Sequence, residues 1–386
     1  MESDNTKKTA RTLMKRCLLL SFLCILSLCI FIGWSRTLRM NPSAFSSSTN
    51  VTVMLQDHPF SSRTNVTVLL QDHPFSSSRN MTILLWHYPF GESVSLNGDV
   101  CWDMYHIPHC RLVDQHSMFS SADVVVFHNR ELIQGSQKLP TDQPRPRGQR
   151  WAWMSLEAPP HNGNLHPFAN IFNITITYRR DADITVPYGE LLPKEDEGRL
   201  VEDNLQEKTT LICWVVSNYK SHHKRSQVYS QLNAIVPVKV YGRWIQTPLD
   251  SSALLPTISH CYFYLAFENS VSKDYITEKL WYNAYESGAV PVVLGASLSD
   301  YKAVAPPHSF IHVDEFASVR ELANYLQELA KDKKRYAEYL TWKQHWKVKL
   351  YTDWRERLCK ICAEFDSLPQ HKVYSDLEAW DKTTSA

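Results

Sequence analysis

Between Phe267 and Gly295 the chain reads FENSVSKDYITEKLWYNAYESGAVPVVLG, crowding carboxylates, amides, three tyrosines and a Thr-Glu-Lys triplet between two apolar runs. Thr277 can cap a helix running from Glu278 through Glu286, which Gly288 stops ahead of a buried strand. Such a β-loop-α-β unit sets polar residues at the carboxyl end of a strand and the amino end of a helix, where free amides and the helix dipole favour an anion. Lys279 adds a full positive charge in a first turn that the dipole makes mildly unfavourable for lysine, so its place calls for a reason. The plainer reading, a solvated Lys279 with Glu268 and Asn269 closing a turn, stands level on this stretch alone, because no glycine-rich phosphate loop is present.

Other groupings offer chemistry. Glu157 ends the apolar run RWAWMSLE (150–157) ahead of APPH; a strand-end carboxylate can take a proton, although such residues are more often ion-pair partners. In HHKRSQ, Arg225 presents a planar fork for phosphate oxygens, Lys224 and the His222–His223 pair are alternative cations, and a solvated basic cap is the competing reading. RRDADI holds Asp181-x-Asp183, a pattern able to bind a divalent metal but common by chance, and Arg179 and Arg180 can pair with both carboxylates. CWDMYHIPHC and CKIC could hold zinc, with His106 and His109 beside Cys101 and Cys110, yet their spacings match no standard finger.

Positioning these groups takes a folded body. With 386 residues, 44% hydrophobic and 21% charged, the chain is too long for one typical domain and too apolar for disorder. A net charge of +1, with no basic stripe or nucleic-acid motif, speaks against nucleic acid as a partner. From Asn80 strand-like runs at 81–86, 122–128, 150–157 and 172–178 predict a first parallel-sheet domain at 80–200. An acidic, turn-rich linker is expected at 189–209. Strands at 210–217, 236–242, 261–268 and 289–295, alternating with helices at 224–233, 277–287 and 318–330, predict a second domain at 210–345, with a tail at 346–386. Two α/β units imply a cleft where ligands meet.

The amino-terminal region sets the compartment. Residues 17–34, CLLLSFLCILSLCIFIGW, carry no charge and just suffice to cross a thin bilayer. Lys7, Lys8, Arg11, Lys15 and Arg16 precede them, so residues 1–16 are expected in the cytosol. A cleaved signal peptide would have a shorter core and a small-residue cleavage site. Asn50, Asn65, Asn80 and Asn173 head N-x-Thr sequons, fitting a glycosylated lumenal body. The first three sit in a repeat of period 15, too short for a solenoid, within or bordering a flexible stem at 35–79. Six cysteines lie beyond the span, Cys101, Cys110, Cys213, Cys261, Cys359 and Cys362, an even number in an oxidising compartment.

The segment YLAFENSVSKDYITEKLWYNAYESGAVPVVLG resembles the signature of the animal α1,3-fucosyltransferases, family 10 of the glycosyltransferases. ILLWHYPFG, SADVVVFHNREL, RWAWMSLEAPPH, IFNITITYRRDADITVPYG, WVVSN and SFIHVDEFAS resemble the same family in the same order, so the likeness runs from about residue 80 to the end and leans toward its Lewis x-forming type. The resemblance implies a glycosyltransferase B fold, two Rossmann-like domains facing a cleft, with an acceptor domain first and a GDP-fucose domain second. It implies a Golgi type II membrane enzyme that moves L-fucose from GDP-β-L-fucose, with inversion, to O3 of GlcNAc in Galβ1-4GlcNAc.

In that chemistry one carboxylate takes the acceptor proton and cations neutralise the departing diphosphate. The resemblance gives Glu157 the role of base and sets Glu278 beside the fucose. Arg225 and Lys279 meet the diphosphate, and Tyr188, Gly189, Ser217, Asn218, Tyr264, Asn269 and Tyr275 line the donor pocket. Arg130, with Trp86 near it, reads the type 2 acceptor; Asn129 stands where the family usually has His, and Ala158 and Pro160 where Ser and Thr are common. The family's pairing joins Cys101 to Cys359, Cys110 to Cys362 and Cys213 to Cys261. No essential metal or other cofactor is implied, a divalent ion at most modulating activity. Glycoprotein or glycolipid N-acetyllactosamine chains are the expected acceptors, and a homodimer is compatible. A type II lectin, or a transferase using another nucleotide sugar, shares the anchor, stem and disulfide-bonded head.

Overall fold

The computed structural model describes residues 80–195 and 208–383; the expected anchor and stem, with the sequons at Asn50 and Asn65, lie outside them. Among the described residues no helix is long and apolar enough to cross a membrane.

Short runs rich in Val, Ile and aromatic residues form two parallel sheets. The first contains β1 (Met81–Leu85), β2 (Cys110–Val113), β3 (Val124–His128), β4 (Arg150–Met154), β5 (Ile174–Thr177) and β6 (Ile184–Thr185), in the order β2-β1-β3-β4-β5-β6. After β7 (Gly189–Pro193) comes the second, of β8 (Thr210–Val215), β9 (Val238–Tyr241), β10 (Cys261–Phe267), β11 (Val290–Leu294) and β12 (Ile311–His312), in the order β12-β11-β10-β8-β9. The chain's direction of travel across each sheet reverses once, between β1 and β3 in the first and between β8 and β10 in the second. At such switch points the loops beyond the carboxyl ends of neighbouring strands diverge and leave a crevice.

Alternation along the strands builds the cores. Phe263, Leu265 and Phe267 pack with residues of the helices Lys224–Asn233 and Val319–Lys331, whereas Tyr264 and Ala266 join Leu280, Trp281 and Ala284 on the other face. In the first sheet Ile83, Leu85, Val124 and Val126 cluster with Leu358 and Ile361 of the helix Trp354–Glu364. Leu84, Val125 and Phe127 cluster with Leu377 of the helix Leu377–Lys382. The carboxyl-terminal segment thus serves the first sheet, which it reaches through β13 (Trp346–Leu350), antiparallel to β7. The expected linker at 189–209 therefore begins as a strand.

Disulfides fasten this return. Cys101 bonds to Cys359 and Cys110 to Cys362, at sequence separations of 258 and 252, and Cys213 joins Cys261 inside the second sheet. The sulfurs of Cys101, Cys110 and Cys359 lie within 4.8 Å of one another, but all three belong to disulfides and are not free thiolates for zinc.

Candidate active site

Beyond β8 and β10, at the second sheet's switch point, lies a cavity of about 230 Å³ lined by His223, Lys224, Arg225, Glu268, Asn269 and Gly295, with Pro160 and His161 closing it from the first half. Gly295 has φ of +149°, and a Cβ there would meet the Glu268 Cβ at 2.6 Å, so only glycine lets the ends of β10 and β11 close this tightly. Arg225 is 5% exposed; one guanidinium nitrogen reaches the Phe267 carbonyl at 3.5 Å and another donates to the Asn218 carbonyl. Its Nε, the His223 Nδ1 and the Asn269 Oδ1 are buried without a hydrogen-bond partner. Burial pushes the Arg225 guanidinium down from its usual range, and an anion in the cavity would oppose that cost. His223 stands at the start of the helix Lys224–Asn233 and makes no side-chain cap, so that helix points its amino end here as well.

The anion site expected at Thr277–Lys279 is built differently. Lys279–Glu286 is a π-helix with Glu278 before it, and Thr277 does not cap it. The buried Glu268 carboxylate accepts the Thr277 N–H at 2.8 Å and hydroxyl at 2.9 Å, and pairs with the Lys279 Nζ at 2.9 Å. Lys279 also contacts Glu278 at 3.0 Å. Burial would lower the Lys279 pKa, but the two carboxylates prevail and hold it above its usual value. Lys279 is therefore not an uncompensated charge awaiting phosphate. Glu268, read from sequence only as a possible turn residue, is the group that organises this loop. Its signal was a carboxylate ending the apolar run of β10.

Glu157 approaches from the first half, just past β4. Its N–H donates to the Ser155 hydroxyl at 3.2 Å, and the preceding carbonyl, of Leu156, accepts the Tyr188 hydroxyl at 2.5 Å. Tyr188 and Tyr178 each set an edge or face against Tyr275, with centroids 6.3 Å and 5.0 Å away. Burial, then the negative charges of Glu157, Glu278 and Glu268, push the Tyr188 pKa well up. The carboxylates of the two halves thus converge on one aromatic platform.

At the first sheet's switch point a second cavity, of about 560 Å³, is lined by Trp86, His87, Tyr88, Phe90, His116 and Arg130 among others. Both expected acceptor residues line it. The Arg130 guanidinium lies 4.8 Å from the Phe90 ring centroid, and Trp86 stacks on His116 at 3.8 Å, an aromatic wall suited to a sugar face.

Other expected residues fall elsewhere. Tyr264 is fully buried, its hydroxyl accepting from Asn283 at 2.9 Å, because strand alternation turns it away from the cavity and into the core. Gly189 lets Trp281 pack closely, a Cβ there coming within 2.6 Å of that ring, and it borders a different cavity. Ser217 and Asn218 are exposed at the end of β8. Asp181 pairs with Arg179 at 2.8 Å and Lys273 at 3.1 Å, while Asp183 takes Lys372 at 2.6 Å, so the two carboxylates serve different partners. Arg180 instead bridges Asp274 and Asp300. Asn80 is exposed, whereas the Asn173 amide donates to the Lys372 carbonyl at 2.9 Å.

Comparison with known proteins agrees with this layout. The family model "Fucosyltransferase, N-terminal" matches residues 78–189, and "Glycosyltransferase family 10 (fucosyltransferase) C-term" matches 205–380. Alpha-(1,3)-fucosyltransferase 7 of Bos taurus is 47% identical over 285 residues, 74% of this chain and 81% of that protein. The 4-galactosyl-N-acetylglucosaminide 3-alpha-L-fucosyltransferase 9 of Mus musculus is 40% identical over 280 residues, 72% and 77% of the two chains. Overall identity is thus higher to that fucosyltransferase 7 than to that fucosyltransferase 9. A crystal structure of an α1,3-fucosyltransferase with GDP-fucose superposes with a TM-score of 0.51 at 18% identity, covering 78% of this chain and 94% of that one, a likeness of fold. With both halves of the chain matched in order, the protein belongs to glycosyltransferase family 10, the fucosyltransferases.

Proposed function

We propose that the protein transfers L-fucose from GDP-β-L-fucose to O3 of the GlcNAc in Galβ1-4GlcNAc chains, with inversion, giving a Lewis x-type product. The observation that carries this reading is the cavity at the second switch point, where buried polar atoms of Arg225, His223 and Asn269 are unpaired opposite the first half's Glu157 loop. The diphosphate occupies that cavity, its charge met by Arg225 and the amino end of the helix Lys224–Asn233, while Lys224 pairs with Asp314 at 3.2 Å. Lys279, between Glu268 and Glu278, holds Glu278 toward the fucose, where a carboxylate stabilises positive charge developing at C1.

Glu157 removes the proton from the GlcNAc hydroxyl as its oxygen attacks C1 from the face opposite the diphosphate. The C1–O bond to the β-phosphate breaks, its electron pair leaving with GDP, and the β-linked donor becomes an α-linked product without a covalent intermediate. The acceptor lies across the first-sheet cavity, its sugars against Trp86 and Arg130. On this reading a cationic side chain and the helix terminus hold the diphosphate without a metal, and Asp181 and Asp183 pair with Arg179, Lys273 and Lys372. The uncharged run at 17–34 and the basic residues before it support a Golgi type II anchor with this body in the lumen.

The test is product analysis. The purified protein, given a panel of sugar nucleotides with N-acetyllactosamine, should consume GDP-fucose alone and yield an α1,3-linked fucose on GlcNAc. Glycan binding without donor consumption would leave a lectin, and fucose on another hydroxyl would refute the acceptor assignment.

A further inference from the structure

The loop carrying Glu157 is knotted by one amide. Asn162, 1% exposed, accepts the Ser155 hydroxyl at 2.6 Å through Oδ1 and sends Nδ2 toward the Glu157 carbonyl at 3.4 Å. Ser155 accepts the Glu157 N–H in turn, so both backbone polar groups of Glu157 depend on the pair formed by Ser155 and Asn162. An asparagine amide has two near-isosteric orientations, and reversing it would exchange donor for acceptor at every contact.

What fixes the orientation comes from the far end of the chain. Asp381, 3% exposed on the helix Leu377–Lys382, receives the Asn162 Nδ2 on both carboxylate oxygens at 3.0 Å. A buried carboxylate facing a reversed amide would meet its oxygen, a repulsive contact in a low-dielectric site. Arg179 secures Asp381 by donating to the Trp380 and Asp381 carbonyls at 2.7 and 2.8 Å while stacking on the Trp380 ring. Asn129 supports the same orientation from the other side, its Nδ2 reaching the Asn162 Oδ1 at 3.3 Å and carbonyl at 3.0 Å.

We infer that Asp381 is a positioning residue for Glu157, acting through the side-chain amide of Asn162, so that the carboxyl-terminal helix sets the geometry of proton removal. This rests on the reading of Glu157 as the base. The donor cavity is built mostly by the second half, which leaves donor affinity as an internal control for folding.

Full-length protein in detergent is assayed with GDP-fucose and N-acetyllactosamine, and GDP affinity is measured by calorimetry. Asp381→Ala and Asn162→Ala should each lower kcat at least tenfold, with the GDP-fucose KM and the GDP Kd within twofold of the parent. Asp381→Asn keeps one oxygen for Asn162 and should recover kcat to within about threefold. Should Asp381→Ala lose GDP binding, Asn162→Ala and Asp381→Asn decide. An unchanged kcat in Asn162→Ala, or kcat and GDP affinity falling together in Asp381→Asn, overturns the inference. Glu157→Gln separates the two ideas: full activity there removes the base assignment itself, whereas an inactive Glu157→Gln beside fully active Asp381→Ala and Asn162→Ala removes only the positioning role.

Discussion

Replacing Glu268 by Gln should be costly in a way the geometry makes measurable. The carboxylate has no exposed side-chain surface and meets the Thr277 N–H, the Thr277 hydroxyl and the Lys279 ammonium, each within 2.9 Å. Glutamine keeps one oxygen for Thr277 but turns an amide N–H₂ toward Lys279, which is left with the half-exposed Glu278 as its one charged partner, beside the Thr277 hydroxyl oxygen at 2.7 Å. Breaking a buried pair from one side costs about 3–5 kcal/mol, and Lys279's remaining partner places the expected loss near the lower end, about 3 kcal/mol. The assay is a double-mutant cycle in guanidinium with Glu268→Gln, Lys279→Met and both together. Removing Lys279 as well takes away the stranded charge, so the double variant should recover about 2 kcal/mol relative to the sum of the singles. A loss below about 1 kcal/mol for Glu268→Gln, or strict additivity, would refute the claim that this pair organises the donor loop.

Further outcomes follow from other parts of the fold. Burial, opposed by the Asn162 hydrogen bonds and the charges of Arg179 and Lys382, pushes the Asp381 carboxyl from 3.8 up to about 6. A raised carboxyl stabilises the folded state below the unfolded pKa and loses that contribution as pH climbs through 6, a change of about 3 kcal/mol. Asp381→Asn should therefore melt higher than the parent at pH 7.5 and nearly level with it at pH 4, while being the slower enzyme; a lower melting point at pH 7.5 would count against a buried charge there. By the chain-entropy model, the Cys101–Cys359 bridge closes a loop worth roughly 5 kcal/mol, and with it in place Cys110–Cys362 closes only about a dozen residues, worth roughly 3 kcal/mol. Losing either bridge should then cost about 3 kcal/mol and losing both about 8, read from denaturant midpoints. Gly189→Ala, which drives a methyl into the Trp281 ring, should destabilise by about 1–3 kcal/mol with little effect on acceptor KM.

Much of the architecture was legible in the sequence because parallel strands buried on both faces read as apolar runs. Helix 224–233 matches the structure at both ends, and the eight expected strands shorten by a few residues where the chain leaves the ladder. β2, β6 and β12 are too short to stand out as apolar runs, and β7 and β13 pair residues far apart in the chain without a strong apolar pattern. Site chemistry was less legible. Arg225 and Asn269 do line the cavity, and Trp86 and Arg130 share the other, but only the packed sheet decides that the Tyr264 side chain turns into the core and that the Gly189 backbone lies against Trp281. Asn162 and Asp381 carry no sequence signal at all: they are ordinary polar residues 219 positions apart until the carboxyl-terminal helix folds back.

In the proposed function labour divides across the cleft, with Arg225 holding the nucleotide and Glu157 removing the proton. Titrating GDP-fucose into the Arg225→Ala and Glu157→Gln proteins, with turnover measured on the same samples, tests it most directly. Arg225→Ala should weaken donor binding at least tenfold, consistent with the loss of about 1.5–3 kcal/mol from charge-assisted hydrogen bonds. Glu157→Gln should bind donor as the parent does while turnover falls by roughly 10²–10⁴. Donor affinity untouched by Arg225→Ala, or turnover preserved in Glu157→Gln, would contradict the account.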